Sequence, residues 1–361
     1  MTGINDAVRA AGFIVLLAGA CLPAHAQTAN VETIATYRGA DRQQMLEAGA
    51  RKEGGLTWYS SAIVDQAIRP MVQAFEARYP GVKLRYVRDE PPRILQRVTT
   101  EIRAGKPVGD VMEGLGIEAA AKRANIARAF WSPSADAIPA DKRDRDQMWV
   151  PARYSFIGQA YNTNLVKAED APKSFQDLLD PKWKGRMAWG SGIAGAPMFI
   201  AGVMNAMGEA KGMDFLRALS KQQIAALGTN QRAVLDRVVA GEYAMSLDAF
   251  VHHPLISAKK GAPVAPLLLP PVLALVNSVM LTRNAPNPHA AMLFIDFLLS
   301  EEGQTVWRDA EYFPANPKVA ALPYLDQVVP AKQGVPENVI SPETVAEQYA
   351  QGQKIFQELF H

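Results

Sequence analysis

Apolar positions along the first third of the chain switch repeatedly between a helical and a strand period. Residues 40–52 place Met45, Leu46 and Ala50 on one side of a helix. Residues 56–60, Leu-Thr-Trp-Tyr-Ser, read as a short strand that runs into a polar loop. Ile68, Met71, Val72, Phe75 and Tyr79 form the next helical stripe, with Pro70 in its first turn or at a bend and Pro80-Gly81 ending it. Val82, Leu84 and Tyr86 alternate as a strand, 94–103 reads as a helix and 109–112 as a short buried strand. This order argues for a parallel α/β sheet. Further on, Ala290, Leu293, Phe294, Phe297 and Leu298 follow the i, i+3, i+4, i+7, i+8 spacing. Asn287 suits the cap of that helix and Pro288 its first turn, and Ser300 suits the cap of a following helix.

The first 26 residues change the picture of where the chain works. Arg9 gives a weakly basic start, 10–22 is apolar, and Ala24-His25-Ala26 is a small-x-small cleavage site before Gln27. The run is too short for a membrane span. The expectation is an exported chain with a cleaved signal peptide. A lipoprotein anchored at Cys21 is the competing reading, weakened by Ala18 at the position where a large aliphatic residue is preferred. Cys21 is the only cysteine, so the mature chain is expected to have no disulfide, thiolate nucleophile or cysteine metal site. A formal charge of +2, with the basic residues dispersed, excludes a nucleic-acid-binding face. With 48% hydrophobic residues, the chain can bury a large core, expected as two lobes. The run 141–147 reads as a solvated loop.

Three segments carry a family resemblance. Residues 285–304, APNPHAAMLFIDFLLSEEGQ, resemble a block of the extracellular solute-binding proteins that serve ABC importers. Residues 171–185, APKSFQDLLDPKWKG, resemble the element that precedes the first strand of the second lobe in that family. Gly241-Glu242-Tyr243-Ala244-Met245 resembles the turn before a later strand of that lobe. The resemblance implies an α/β type II periplasmic binding fold: two lobes, two crossover strands and a central cleft. It is nearest the cluster of ferric-ion, sugar-phosphate, thiamine, phosphonate and polyamine binders. Residues 149–162 and 272–281 would be the crossovers. The implied division is a signal peptide at 1–26, a first lobe from 27–156 and 279–361, and a second lobe at 157–278.

The implied function is a periplasmic receptor that closes around a small polar, anionic solute and delivers it to an ABC permease at the inner membrane. It would act as a monomer, without cofactor, catalysis or nucleic acid. Two other readings stay open: a receptor for a metal complex or cationic solute, and a periplasmic enzyme on the same scaffold. A sensory adaptor is a third class. No HExxH, GxSxG, Walker A or CxxC pattern supports an enzyme.

Such clefts lie at the carboxyl ends of strands, where loops and helix N-termini expose N–H groups that suit anions. Tyr59-Ser60-Ser61 offers two hydroxyls and an aromatic face, or is an ordinary turn. Trp189-Gly190-Ser191-Gly192 combines a hydroxyl with glycines that let backbone amides approach an anion. Asn230 can cap a helix and touch solute. Glu113, with Gly114, can bind an amine or shape the cleft. Arg93, and Arg153 beside Tyr154, can grip a carboxylate or phosphate or lie on the surface. Asp248 can receive a cation or cap a helix. Adjacent His252 and His253 are a poor chelate because neighbouring side chains diverge. Ferric binders of the family place paired tyrosines near that point, where this chain has Val251-His252, which argues against bare ferric iron.

Overall fold

The computed structural model describes residues 31–190 and 195–360. The expected signal peptide, Cys21, Ser191 and Gly192 lie outside the described residues. After a helical stretch at 31–36, α1 (Arg42–Glu53) leads into β1 (Gly55–Ser60). A π-helical turn, Val64–Ile68, runs directly into α2 (Arg69–Arg78), which accommodates Pro70 in its first turn. Then come β2 (Lys83–Arg88), α3 (Pro91–Arg103), β3 (Val111–Leu115), α4 (Glu118–Arg123) and β4 (Ala127–Arg128). The long β5 (Val150–Asn162) precedes β6 (Met187–Gly190), α5 (Ala196–Met207), α6 (Glu209–Ser220), β7 (Ala225–Leu227) and α7 (Gln231–Val239). β8 (Met245–Phe250), α8 (His252–Lys259), β9 (Val264–Leu267) and the long β10 (Val272–Thr282) follow. The chain ends with α9 (Pro288–Leu299), α10 (Glu301–Asp309), β11 (Phe313–Pro314), β12 (Glu337–Ile340) and α11 (Val345–Leu359).

These strands form one twelve-stranded sheet with the main order β2-β1-β3-β10-β5-β8-β6-β7. β1, β2 and β3 are parallel, as are β8, β6 and β7. Between the two parallel groups lie β10 and β5, antiparallel to each other and to their outer neighbours. They are the two crossover strands, and the architecture is the α/β type II periplasmic binding fold.

Each parallel group has its own aromatic-rich core. In the first, Trp58 of β1 packs on Phe294 of α9 at 5.1 Å and Phe75 of α2 packs on Phe294 at 5.2 Å between ring centroids. Such pairs add about 0.5–1.5 kcal/mol each beyond burial. In the second, Trp183, Trp189, Phe199, Phe215 and Leu247 are buried together. The C-terminal helix joins this second core through Ile355 and Phe356. The expected division gave residues 279–361 to the first lobe, yet α11 packs on α5, because its apolar stripe meets the buried face of that helix.

Two local expectations change. β3 begins at Val111 instead of 109, because the buried Asp110 carboxylate turns to accept from the Thr57 and Asn287 N–H groups. Asn287 makes no capping bond to α9. Glu53, at the end of α1, caps that helix instead, accepting from the N–H groups of His289 and Ala290 at 3.2 and 2.8 Å. Ser300 does cap α10, accepting from Gly303 N–H at 3.2 Å.

Candidate functional site

A cavity of about 120 Å³ opens where the carboxyl ends of the first parallel strands face α7 and α8 across the crossovers. Its lining includes Ser61, Arg88, Glu90, Leu115, Arg153, Ser155, Asn230, Gln231, Arg232, Phe250, His252, His253, Asn277 and Tyr312. Strand alternation selects the lining from β5: Arg153 and Ser155 face the cavity, and Tyr154 between them packs into the apolar layers on the other side.

Arg153 is the centre of this arrangement. It is buried, and its Nη2 lies 3.0 Å from Oε1 of the fully buried Glu113, a charge contact too bent to be a hydrogen bond. The other Glu113 oxygen accepts from the Ser60 hydroxyl at 2.6 Å. The guanidinium sits over the Tyr312 and Trp307 rings, 4.7 and 5.3 Å from their centroids. Its buried Nε–H has no partner among the described residues. Two more guanidiniums complete the positive lining. Arg88 pairs with Glu90 at 2.9 Å, both partly exposed. Arg232, in the first turn of α7, pairs with Asp236 at 2.8 Å and donates to the Ser257 hydroxyl at 3.2 Å. Asn277 donates to the Ser155 hydroxyl at 2.9 Å, tying the two crossover strands together beneath the cavity.

His252 and His253 open α8 with both rings against the cavity, 4.3 Å apart between centroids. Burial, then the positive charge of their neighbours, disfavours their protonated forms. His253 is pushed down to about 3, and His252 lies well below its ordinary value. Both rings are therefore neutral at ordinary pH.

The structure brings Ser61, Arg153, Asn230 and His252 together on the cavity wall. Asn230 also caps α7, accepting from Ala233 N–H at 3.1 Å. Ser60 and Glu113 stand behind the wall and hold Arg153. Gly114 lies in β3 where a Cβ would sit 3.1 Å from Ile117 Cδ1 and 3.2 Å from Pro91 Cβ, so its part is close packing.

Other expected residues lie elsewhere. Tyr59 points away from Ser60, is buried, and donates to Glu101 at 2.6 Å, with burial and then Glu101 pushing its phenol up to about 12. Arg93 is largely exposed and lies 3.8 Å from Asp89. Trp189 faces α5 and α11, packed against Phe199, Phe356 and Phe360. Asp248 neither caps a helix nor faces the cavity lining. It is fully buried and accepts from Gly190 N–H at 2.6 Å, with burial pushing it up to about 7. A Cβ at Gly190 would lie 2.7 Å from the Thr229 carbonyl oxygen and 3.3 Å from Asp248 Oδ2, so this approach needs glycine. Glu113 and Asp248 thus have separate polar partners, and among the described residues no group of three metal-ligating side chains is gathered.

Sequence reasoning missed Arg88, Ser155, Arg232, Asn277 and Tyr312. Asn277 had a signal, a polar residue inside the buried run VLALVNSVMLT. Arg88 ends an alternating strand and Arg232 follows a helix cap by two residues, which places both at the ends that face a cleft. Tyr312 carries no local signal; α10 and β11 bring it there.

A family model described as bacterial extracellular solute-binding protein matches residues 116–332. A protein of Salmonella typhimurium named putative 2-aminoethylphosphonate-binding periplasmic protein is 25% identical over 240 residues, 62% of this chain and 67% of that protein. Iron-bound HitA from Pseudomonas aeruginosa superposes with a TM-score of 0.71 at 20% identity, covering 84% of this chain and 99% of HitA. AfuA from Actinobacillus pleuropneumoniae, solved with exogenous fructose-6-phosphate bound, gives 0.71 at 21% identity, covering 85% and 98%.

Proposed function

The chain belongs to the bacterial extracellular solute-binding protein family, and from that premise we propose that it is a periplasmic receptor for a small anionic solute, serving an ABC importer. One observation carries the anion: three guanidiniums, Arg88, Arg153 and Arg232, line one small cavity, and the buried Arg153 keeps an N–H without a partner among the described residues. A buried cationic donor of this kind is stabilised by a bidentate oxyanion. A phosphonate or phosphate ester is the favoured solute class, in keeping with the name of the Salmonella typhimurium relative.

The mechanism is capture without covalent change. The solute contacts the β1–β3 side through Arg88 and Arg153 and the α7–α8 side through Arg232 and His252. A solute that touches both sides favours the closed form and shifts the balance between open and closed states. We place residues 27–156 and 279–361 with the first lobe and 157–278 with the second, except that α11 rides on the second. The exported form begins at Gln27 and presents its closed surface to the permease.

The test is native mass spectrometry of the freshly purified exported protein, followed by calorimetry with the identified solute. An anion should be found, and Arg153→Met should abolish its binding. Retention of a bare metal cation, or anion binding that is indifferent to Arg153→Met, would defeat the reading.

A further inference from the structure

The three guanidiniums of the cavity are hydrogen-bond donors only, so they recognise the acceptor oxygens of a solute and nothing else. His252 asks for a different group. Its side chain lines the cavity and is 1% exposed, and neither Nδ1 nor Nε2 has a hydrogen-bond partner among the described residues. Around it pack the rings of Phe250, His253, Tyr312 and Phe313, all within about 6 Å between centroids. A neutral imidazole carries one N–H and one lone-pair nitrogen, whichever tautomer it adopts. In either tautomer one buried N–H and one buried acceptor nitrogen are therefore left over: an oxyanion oxygen can satisfy the N–H, but only a donor group can satisfy the lone pair. Leaving such an atom unpaired is unfavourable, and native interiors hold few of them.

We infer that the solute is an oxyanion that also bears a hydroxyl group, and that His252 accepts the hydrogen bond from that hydroxyl. The inference rests on the anion reading above and adds a second recognition point to it. A solute made only of acceptors leaves the His252 lone pair unsatisfied. Protonation of the ring is opposed by burial, by His253 and by Arg153. The same positive surroundings, with Arg232 beside His253, disfavour an ammonium group at this point and select a neutral donor.

The experiment compares methylphosphonate, hydroxymethylphosphonate and aminomethylphosphonate by calorimetry at pH 8, on the wild type, His252→Phe and His252→Asn. The wild type should bind hydroxymethylphosphonate about ten-fold more tightly than methylphosphonate, the worth of one satisfied buried acceptor. Aminomethylphosphonate should show no such gain. His252→Phe should bring the ratio close to one, and His252→Asn, which keeps an acceptor, should restore part of it. Equal affinity for the methyl and hydroxymethyl compounds in the wild type, or a preference that survives in His252→Phe, overturns the hydroxyl subsite and leaves the anion reading standing. Binding of none of the three at millimolar concentration overturns the anion reading and this inference with it.

Discussion

Arg153 on β5 reaches Glu113 on β3 at 3.0 Å although β10 lies between their strands. Both side chains are buried, so the pair spans a crossover strand within the sheet and ties the wall of the cavity to the first parallel group. Removing one partner of such a pair leaves an uncompensated buried charge, which costs about 3–5 kcal/mol. Arg153→Met should therefore destabilise the fold by that amount in urea denaturation. Glu113→Gln should act differently on binding, since it leaves the guanidinium without its counter-charge and should tighten methylphosphonate binding several-fold. A folded Glu113→Gln protein that binds methylphosphonate more weakly than the wild type would show that the carboxylate serves chiefly to aim Arg153.

Burial pushes the carboxyl of Glu118, at the start of α4, from its usual 4.5 up to about 8. Between those values the folded chain holds a proton that the unfolded chain has released, so stability falls as pH rises through the window. Asp248, at about 7, acts in the same sense. His253, at about 3, acts oppositely, since the unfolded chain binds its proton first and stability rises toward pH 6.5. Glu118→Gln keeps the shape and removes the titration. The wild type should lose at least about 1 kcal/mol more than this variant between pH 5 and pH 8. Equal losses in urea melts at the two pH values would rule Glu118 out as the source.

Trp189 has its ring 4.8 Å from Phe360 and 5.8 Å from both Phe199 and Phe356. Trp189→Ala should cost about 3–5 kcal/mol, the usual range for emptying a core aromatic site. Under conditions where the variant is folded, its affinity for methylphosphonate should match the wild type within a factor of about two. A selective loss of binding with normal stability would return Trp189 to the site.

Ferric iron should give no tyrosinate charge-transfer band. The cavity tyrosine, Tyr312, is held above its ordinary value by burial, so its phenol keeps its proton, and three guanidiniums surround the space a trication would occupy. Titration of the apo protein with ferric citrate checks this in the visible spectrum. A one-to-one band that disappears in Tyr312→Phe would restore iron as the cargo.

The hydrophobic pattern by itself determined the elements. The stripe Ile68–Met71–Phe75 and the alternation Leu84–Tyr86 reflect one-sided burial, which local spacing records directly. The buried run 272–281 and the Ser300 cap were legible for the same reason. Of the cavity lining, Ser61, Asn230 and His252 were legible because strand ends and helix starts announce themselves locally, and Arg153 as a charged residue beside the first crossover. What a side chain faces was not. Tyr59 and Ser60 differ by one position and point to opposite faces, and Trp189 turns into the core of the second parallel group. Asp248 has a backbone amide 58 residues away as its partner, and Glu113 an arginine two strands across the sheet. Those partners, like the meeting of Arg88, Arg232 and Tyr312 around one cavity, are set by strand order and register. They are properties of the folded sheet, because pairing between distant segments is what brings their side chains within a few ångströms.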